Sequence, residues 1–161
     1  MTQKANTIQM DSGIIVPMAN FSNNLITWIL RTPLHGLISS GMMVLTYTGR
    51  KSGRDISLPV GYIELDDRLM NTSLRKRTWW RSLRGGAEVK LQLCGKTRTA
   101  LAEAYDDEAE VRRGFLIYLQ RMPRAARFFD VRVNPSGEPE EADLERLVEE
   151  RVVVYYTLQA E

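Results

Sequence analysis

Met42-Met43-Val44-Leu45-Thr46-Tyr47-Thr48 runs straight into Gly49-Arg50-Lys51-Ser52-Gly53-Arg54, and a second largely apolar run follows from Ile56 to Ile63. β-branched and aromatic residues on either side of a glycine-bounded bend describe two strands and the turn between them. Two glycines bracket two cations and a hydroxyl, and a third cation follows at once. Glycine permits positive φ, bare N–H groups in a tight turn form an anion-binding nest, and the side chains add charge-assisted hydrogen bonds. The reading is a hairpin whose tip holds an anion, on a phosphorylated or carboxylated small molecule.

Outward from that bend the pattern stays mainly β. Ser57 to Leu65 reads as the second strand, with Pro59 marking a bulge or an edge. Asp66-Asp67 is a turn, and Arg68 to Thr72 begins a third strand. Arg75 to Arg84 is basic, carries Trp79-Trp80, and reads as a loop feeding a short helix that Gly85-Gly86 ends. Glu88 to Leu93 and Lys96 to Tyr105 form a second hairpin about Cys94-Gly95. Asp106-Asp107 caps a helix with Val111, Phe115, Tyr118 and Leu119 on its apolar face, ending near Pro123. Asn134 to Pro139 is a polar loop, Ala142 to Glu150 a short acidic helix, and Val152 to Leu158 a closing strand. The fold class is therefore mainly β with α additions, a small barrel with flanking helices.

The N-terminal part is different. Residues 1 to 19 carry no clear period and read as a loose arm, with a single domain from 20 to 161. Asn20 to Leu37 reads as an amphipathic helix, kinked or divided at Pro33. It packs on the barrel, forms a lid, or makes a weak membrane contact.

A chain of 161 residues is one domain. Its 43% apolar and 26% charged residues are those of a soluble globular protein. The net charge of +2 is small but unevenly placed: nine Lys or Arg stand against four acids between Arg50 and Arg84, whereas acids dominate from Glu138 to Glu150. One end of the fold should attract anions. The near-neutral total and the acidic C-terminal helix count against nucleic acid as a partner. With one cysteine an internal disulfide is excluded, and with no secretory pattern a reducing cytoplasm is the expected location, membrane association staying open. Cys94 is expected to be a buried small hydrophobe. No apolar run approaches the ~18 residues needed to cross a bilayer.

No cluster of metal ligands is present, since His35 is the sole histidine and Cys94 the sole cysteine; zinc and multi-ligand iron centres are disfavoured. No glycine-rich dinucleotide fingerprint follows a strand, and no Walker sequence occurs. What remains is the cationic turn, the cluster Arg75-Lys76-Arg77, and the paired tryptophans. One indole is expected in the core, while the other is free to stack on a planar ring. Together they describe a site for a flat ring with an anionic tail.

Leu45-Thr46-Tyr47-Thr48-Gly49-Arg50-Lys51-Ser52-Gly53 followed by Leu58-Pro59-Val60-Gly61-Tyr62 resembles the signature of the deazaflavin-dependent nitroreductase family. The run Trp79-Trp80-Arg81-Ser82-Leu83-Arg84-Gly85-Gly86-Ala87-Glu88-Val89 resembles that family's second motif, and the likeness covers roughly residues 25 to 120. The resemblance implies a split β-barrel, as in FMN-binding relatives, that uses coenzyme F-420. Arg50, Lys51 and Ser52 match positions that bind the coenzyme's acidic tail, with Arg54 assisting. Trp79 or Trp80 matches the aromatic near the ring. The reaction implied is hydride transfer between the reduced coenzyme and a conjugated small-molecule acceptor of the quinone, enone or nitroaromatic class.

Two departures qualify the likeness. Where the nitroreductase has a longer loop with glycine and proline, Ser73 to Thr78 is short and cationic, so Arg75, Lys76 or Arg77 stands in for its phosphate contacts. Where the nitroreductase has tyrosines after a Tyr-Pro pair, Met122-Pro123 leads to Phe128 and Phe129, and no catalytic residue or proton donor is assigned. Phe128 and Phe129 line an apolar acceptor pocket or belong to a packed helix. The rival readings are an FMN-binding oxidoreductase on the same barrel, and a non-enzymatic binder of a lipid or tetrapyrrole lined by Phe21, Trp28, Phe128 and Phe129. A homodimer is open.

Overall fold

The computed structural model of the protein describes residues 7–9, 15–17 and 41–160. The expected helix from Asn20 to Leu37, with Phe21, Trp28 and His35, lies outside those residues. Strands β1 (Thr7–Gln9) and β2 (Ile15–Pro17) pair antiparallel as a separate two-stranded sheet.

The main sheet contains β3 (Met42–Thr48), β4 (Asp55–Gly61), β5 (Ile63–Glu64), β6 (Leu69–Leu74), β7 (Ala87–Leu93), β8 (Lys96–Tyr105) and β9 (Arg151–Leu158). A 3-10 helix (Trp79–Leu83) stands between β6 and β7. Helices α1 (Glu108–Arg121), α2 (Ala125–Phe128) and α3 (Glu141–Glu150) stand between β8 and β9. The seven strands are ordered β4-β3-β7-β8-β9-β6-β5, and every pairing is antiparallel.

The strand expected from Ser57 to Leu65 is divided. Its halves, β4 and β5, occupy opposite edges of the sheet, yet only Tyr62 separates them in the chain. Neighbouring strands lie about 4.8 Å apart, so a flat seven-stranded sheet would hold its edges far beyond the reach of one residue. The sheet therefore curls until its edges approach, which is a split barrel. Pro59 lies in β4, where it pairs only with Val44 of β3. At that edge its missing N–H leaves no ladder bond unmade.

Alternation along each strand sorts side chains onto two faces. Met43, Leu45, Tyr47, Val89, Leu91, Ala100, Ala102, Val152, Val154 and Tyr156 fill the interior with Trp80 and Leu83. The opposite face of β6 and β9 presents Met70, Val153 and Tyr155 to Val111 and Phe115 of α1 and to Leu144 and Leu147 of α3. Strand β9 is thus covered on both sides, which is why Val152 to Tyr156 reads as an unbroken apolar run. The Asp107 side chain accepts from the Glu110 amide at 3.0 Å and starts α1 as the sequence predicts. Gly114 is where α1 meets the sheet: a Cβ there would stand 2.8 Å from Val153 Cγ1.

Cys94 corrects its expectation. It sits with φ of 47° in the β7–β8 turn and is exposed, because it belongs to the turn and not to the strand end.

Candidate functional site

The β3–β4 turn closes on itself. The Gly49 amide donates to the Arg54 carbonyl at 2.9 Å, and the Gly53 amide to the Gly49 carbonyl at 2.8 Å. Gly53 adopts φ of 64°, the left-handed region glycine tolerates. Gly49 is buried, and a Cβ there would meet Ser52 Oγ at 2.7 Å, so this glycine lets the Ser52 hydroxyl fold inward. From there Ser52 Oγ accepts from the Arg54 amide at 3.3 Å. The Lys51 and Ser52 amides find no partner among the described residues. Two adjacent N–H groups thus stand at an exposed tip without a partner among the described residues.

The tip is seated on the 3-10 helix. The Arg50 guanidinium donates to the Arg84 carbonyl, and the Arg50 amide makes a long contact of 3.5 Å to Ser82 Oγ. The two stretches that carry the family likeness are thereby brought together. Lys51, Arg54 and Arg81 are exposed and have no ion-pair partner among the described residues.

The tryptophans divide as expected. Trp80 is 1% exposed and belongs to the barrel interior, its indole N–H donating to the Arg75 carbonyl at 3.3 Å. The Arg84 guanidinium lies 4.7 Å from its ring centroid and ion-pairs with Asp106. Trp79 is half-buried and tilts 48° against Tyr47, with ring centroids 6.4 Å apart. Burial pushes the Tyr47 hydroxyl above its ordinary pKa, so it stays protonated beneath Trp79. Trp79 is therefore the indole left with surface to offer a planar ligand.

Arg75 does something else. Its guanidinium donates to the carbonyls of Glu149 (3.1 Å), Asp106 (2.9 Å), Val148 (2.9 Å) and Arg151 (3.2 Å). The last carbonyls of a helix lack intrahelical partners, and Arg75 supplies donors at the end of α3. It joins β6, α3 and the start of α1, and its donors are committed to the fold. Lys76 is exposed on the neighbouring position with no partner among the described residues.

Reading the sequence passed over Arg81, Ser82 and Arg84 as site residues. Their signal was the basic spacing around the tryptophans, but only the contacts from Arg50 show that Ser82 and Arg84 meet the turn.

Two cavities lie elsewhere. One of about 590 Å³ is lined by Tyr62, Glu64, Cys94, Arg121 and Met122 among others. Burial, and then the nearby Cys94 and Glu64, raise the Tyr62 hydroxyl pKa. The second, of about 330 Å³, is lined by Arg75, Asp106, Arg112 and Glu149 among others. Neither includes the cationic turn. Phe129 is buried and Phe128 is exposed, and neither lines these cavities. Among the described residues no group of acids, histidines and cysteines is arranged to hold a metal ion, and no helix is long and apolar enough to cross a membrane.

No family model and no curated protein matches the chain. Among solved structures it is similar to a provisionally named pyridoxamine 5'-phosphate oxidase from Listeria innocua, at 14% identity and a TM-score of 0.49, covering 85% of this chain and 93% of that one. It is similar to an FAD- and haem-binding protein from Mycobacterium smegmatis, at 14% identity and a TM-score of 0.47, over 87% of this chain and 68% of that one. An F-420-H2-dependent reductase is similar at 13% identity and a TM-score of 0.47, over 74% of this chain and 95% of that one. Likeness at this level assigns neither cofactor nor reaction.

Proposed function

We propose that the protein is a deazaflavin-dependent oxidoreductase, in which the β3–β4 turn holds the acidic tail of coenzyme F-420. The observation that carries this reading is the Arg50 contact to Arg84, which with the Ser82 contact seats the turn of Lys51 and Ser52 on the 3-10 helix that carries Trp79 and Arg81. An anion at the tip meets two unpaired amides and the Lys51 and Arg54 cations, a donor set suited to phosphate and carboxylate oxygens. Trp79 offers the flat apolar face that a fused ring requires.

When bound, the coenzyme supplies a hydride from ring carbon C5. This chain's residues bind and orient. Lys51, Ser52 and Arg54 fix the tail, Arg50 and Ser82 hold the tip against the 3-10 helix, and Trp79 limits where the ring can lie. A conjugated acceptor is then placed by exclusion of water and by proximity. Neither of the two cavities includes the cationic turn. We propose that this surface is a ledge to which a second copy of the chain adds a wall, so that the working form is a homodimer.

FMN shares a phosphate and a flat ring, and the same ledge would suit it. Titration of the purified protein with F-420 and with FMN, followed by fluorescence, separates the two. Tighter binding of F-420 is expected, and Lys51→Ala should weaken it by about ten- to a hundredfold. If the protein binds neither, or Lys51→Ala binds as tightly as the parent, the reading fails.

A further inference from the structure

The corner after α1 presents apolar and cationic side chains together. Exposed large apolar residues are few, yet Met122 (40% exposed), Phe128 (58%) and Val133 (46%) fall within one short stretch. Four arginines interleave with them. Arg121 pairs with Asp66 at 2.6 Å and Arg132 with Asp143 at 2.9 Å. Arg124 and Arg127, which precede Phe128, are exposed, and their side chains have no partner among the described residues.

The corner is rigid. Phe129, next to Phe128, is 4% exposed and packs edge-on against Phe115 (5.2 Å) and Tyr118 (5.4 Å). The Arg146 guanidinium donates to the carbonyls of Phe129 (3.0 Å) and Asp130 (2.7 Å). The Val131 amide closes onto the Ala126 carbonyl at 2.8 Å. Phe128 is held out by this framework, and its ring contact with Phe129 at 5.0 Å leaves most of its surface in water.

We propose that this corner docks on an anionic phospholipid surface, with Phe128 inserted among the acyl chains and Arg124 and Arg127 on the headgroup phosphates. An exposed aromatic close to cations that have no side-chain partner among the described residues matches the interfacial layer of a bilayer. A protein partner fits less well. Three partly exposed side chains offer a few hundred Å² at most, roughly, whereas a stable protein interface covers about 800 Å² on each side.

The full-length chain is sedimented with vesicles of phosphatidylcholine alone and of phosphatidylcholine with about one third phosphatidylglycerol, at low and high salt. Binding to the anionic vesicles that weakens with salt is expected. Phe128→Ser should lower it by about tenfold, and Arg124→Gln with Arg127→Gln should lower it similarly. Both variants change exposed side chains, and circular dichroism checks that they fold. Phe128→Trp should retain binding and gain quenching by brominated lipid over the parent. No binding to anionic vesicles, equal binding by Phe128→Ser, or no added quenching in Phe128→Trp would overturn the proposal. So would lipid-free self-association that Phe128→Ser abolishes, which would assign the corner to a second copy of the chain.

Discussion

The Arg50 guanidinium donates to the main-chain carbonyl of Arg84, joining two cationic stretches 34 positions apart. The contact sets one arginine beside another and concentrates positive charge on one surface. Arg84 is offset by its pairing with Asp106. A surface arranged in this way becomes more favourable when an anion arrives.

Lys51 should therefore matter for ligand and not for fold. It is exposed and has no partner among the described residues, so Lys51→Ala is expected to shift thermal stability by less than about 0.5 kcal/mol. Loss of a charged hydrogen bond to the coenzyme tail would cost about 1.5–3 kcal/mol of binding. Calorimetric titration and thermal melts on one preparation check both halves of the expectation.

Arg75 should behave in the opposite sense. Arg75→Ala leaves the carbonyls of Val148, Glu149, Asp106 and Arg151 without their donor. A loss of about 2–4 kcal/mol in urea unfolding is expected. A lysine cannot reproduce the planar fork, so Arg75→Lys should recover little of it. A change below about 0.5 kcal/mol in either variant would remove Arg75 from the framework.

The two tryptophans should separate in the same way. Trp80→Ala empties a fully buried site and should cost about 3–5 kcal/mol. Trp79→Ala should cost less, because the side chain is half-buried, and should abolish the change in intrinsic fluorescence on coenzyme addition. Equal stability losses in the two variants would contradict the division seen here.

Acid should find a weak point at Asp143. Hydrogen bonds from the Arg132 side chain and amide hold its carboxyl below the ordinary aspartate value. A carboxylate with a lowered folded pKa adds stability that is present above its unfolded pKa and is lost as pH falls through the folded value. Asp143→Asn should therefore flatten the decline in urea midpoint between about pH 5 and about pH 2. An unchanged decline would mean that other carboxylates set it.

Much of the barrel is legible in the sequence because strands alternate. Met43, Leu45 and Tyr47, or Val152, Val154 and Tyr156, point inward two residues apart. The split at Tyr62 is hidden because apolar residues run on through Gly61 and Ile63, and nothing local distinguishes one strand from two on opposite edges. Arg75 looks like one member of a solvated charge run, since its carbonyl partners on α3 and β9 lie 73 to 76 positions away. Phe128 and Phe129 are adjacent and chemically alike, so only the turn of α2 decides which one enters the core. The cationic tip is legible because its glycines must be where they are. The surface it rests on depends on long-range contact and is not.

The single residue between β4 and β5 also limits how this scaffold can vary. Hairpin tips accept added residues at little cost, but a longer link at Tyr62 would let both margins of the rolled sheet drift apart and unseal the apolar interior. Length variants tolerated at Cys94-Gly95 and rejected at Tyr62 would be the mark of a cylinder held shut by its own backbone.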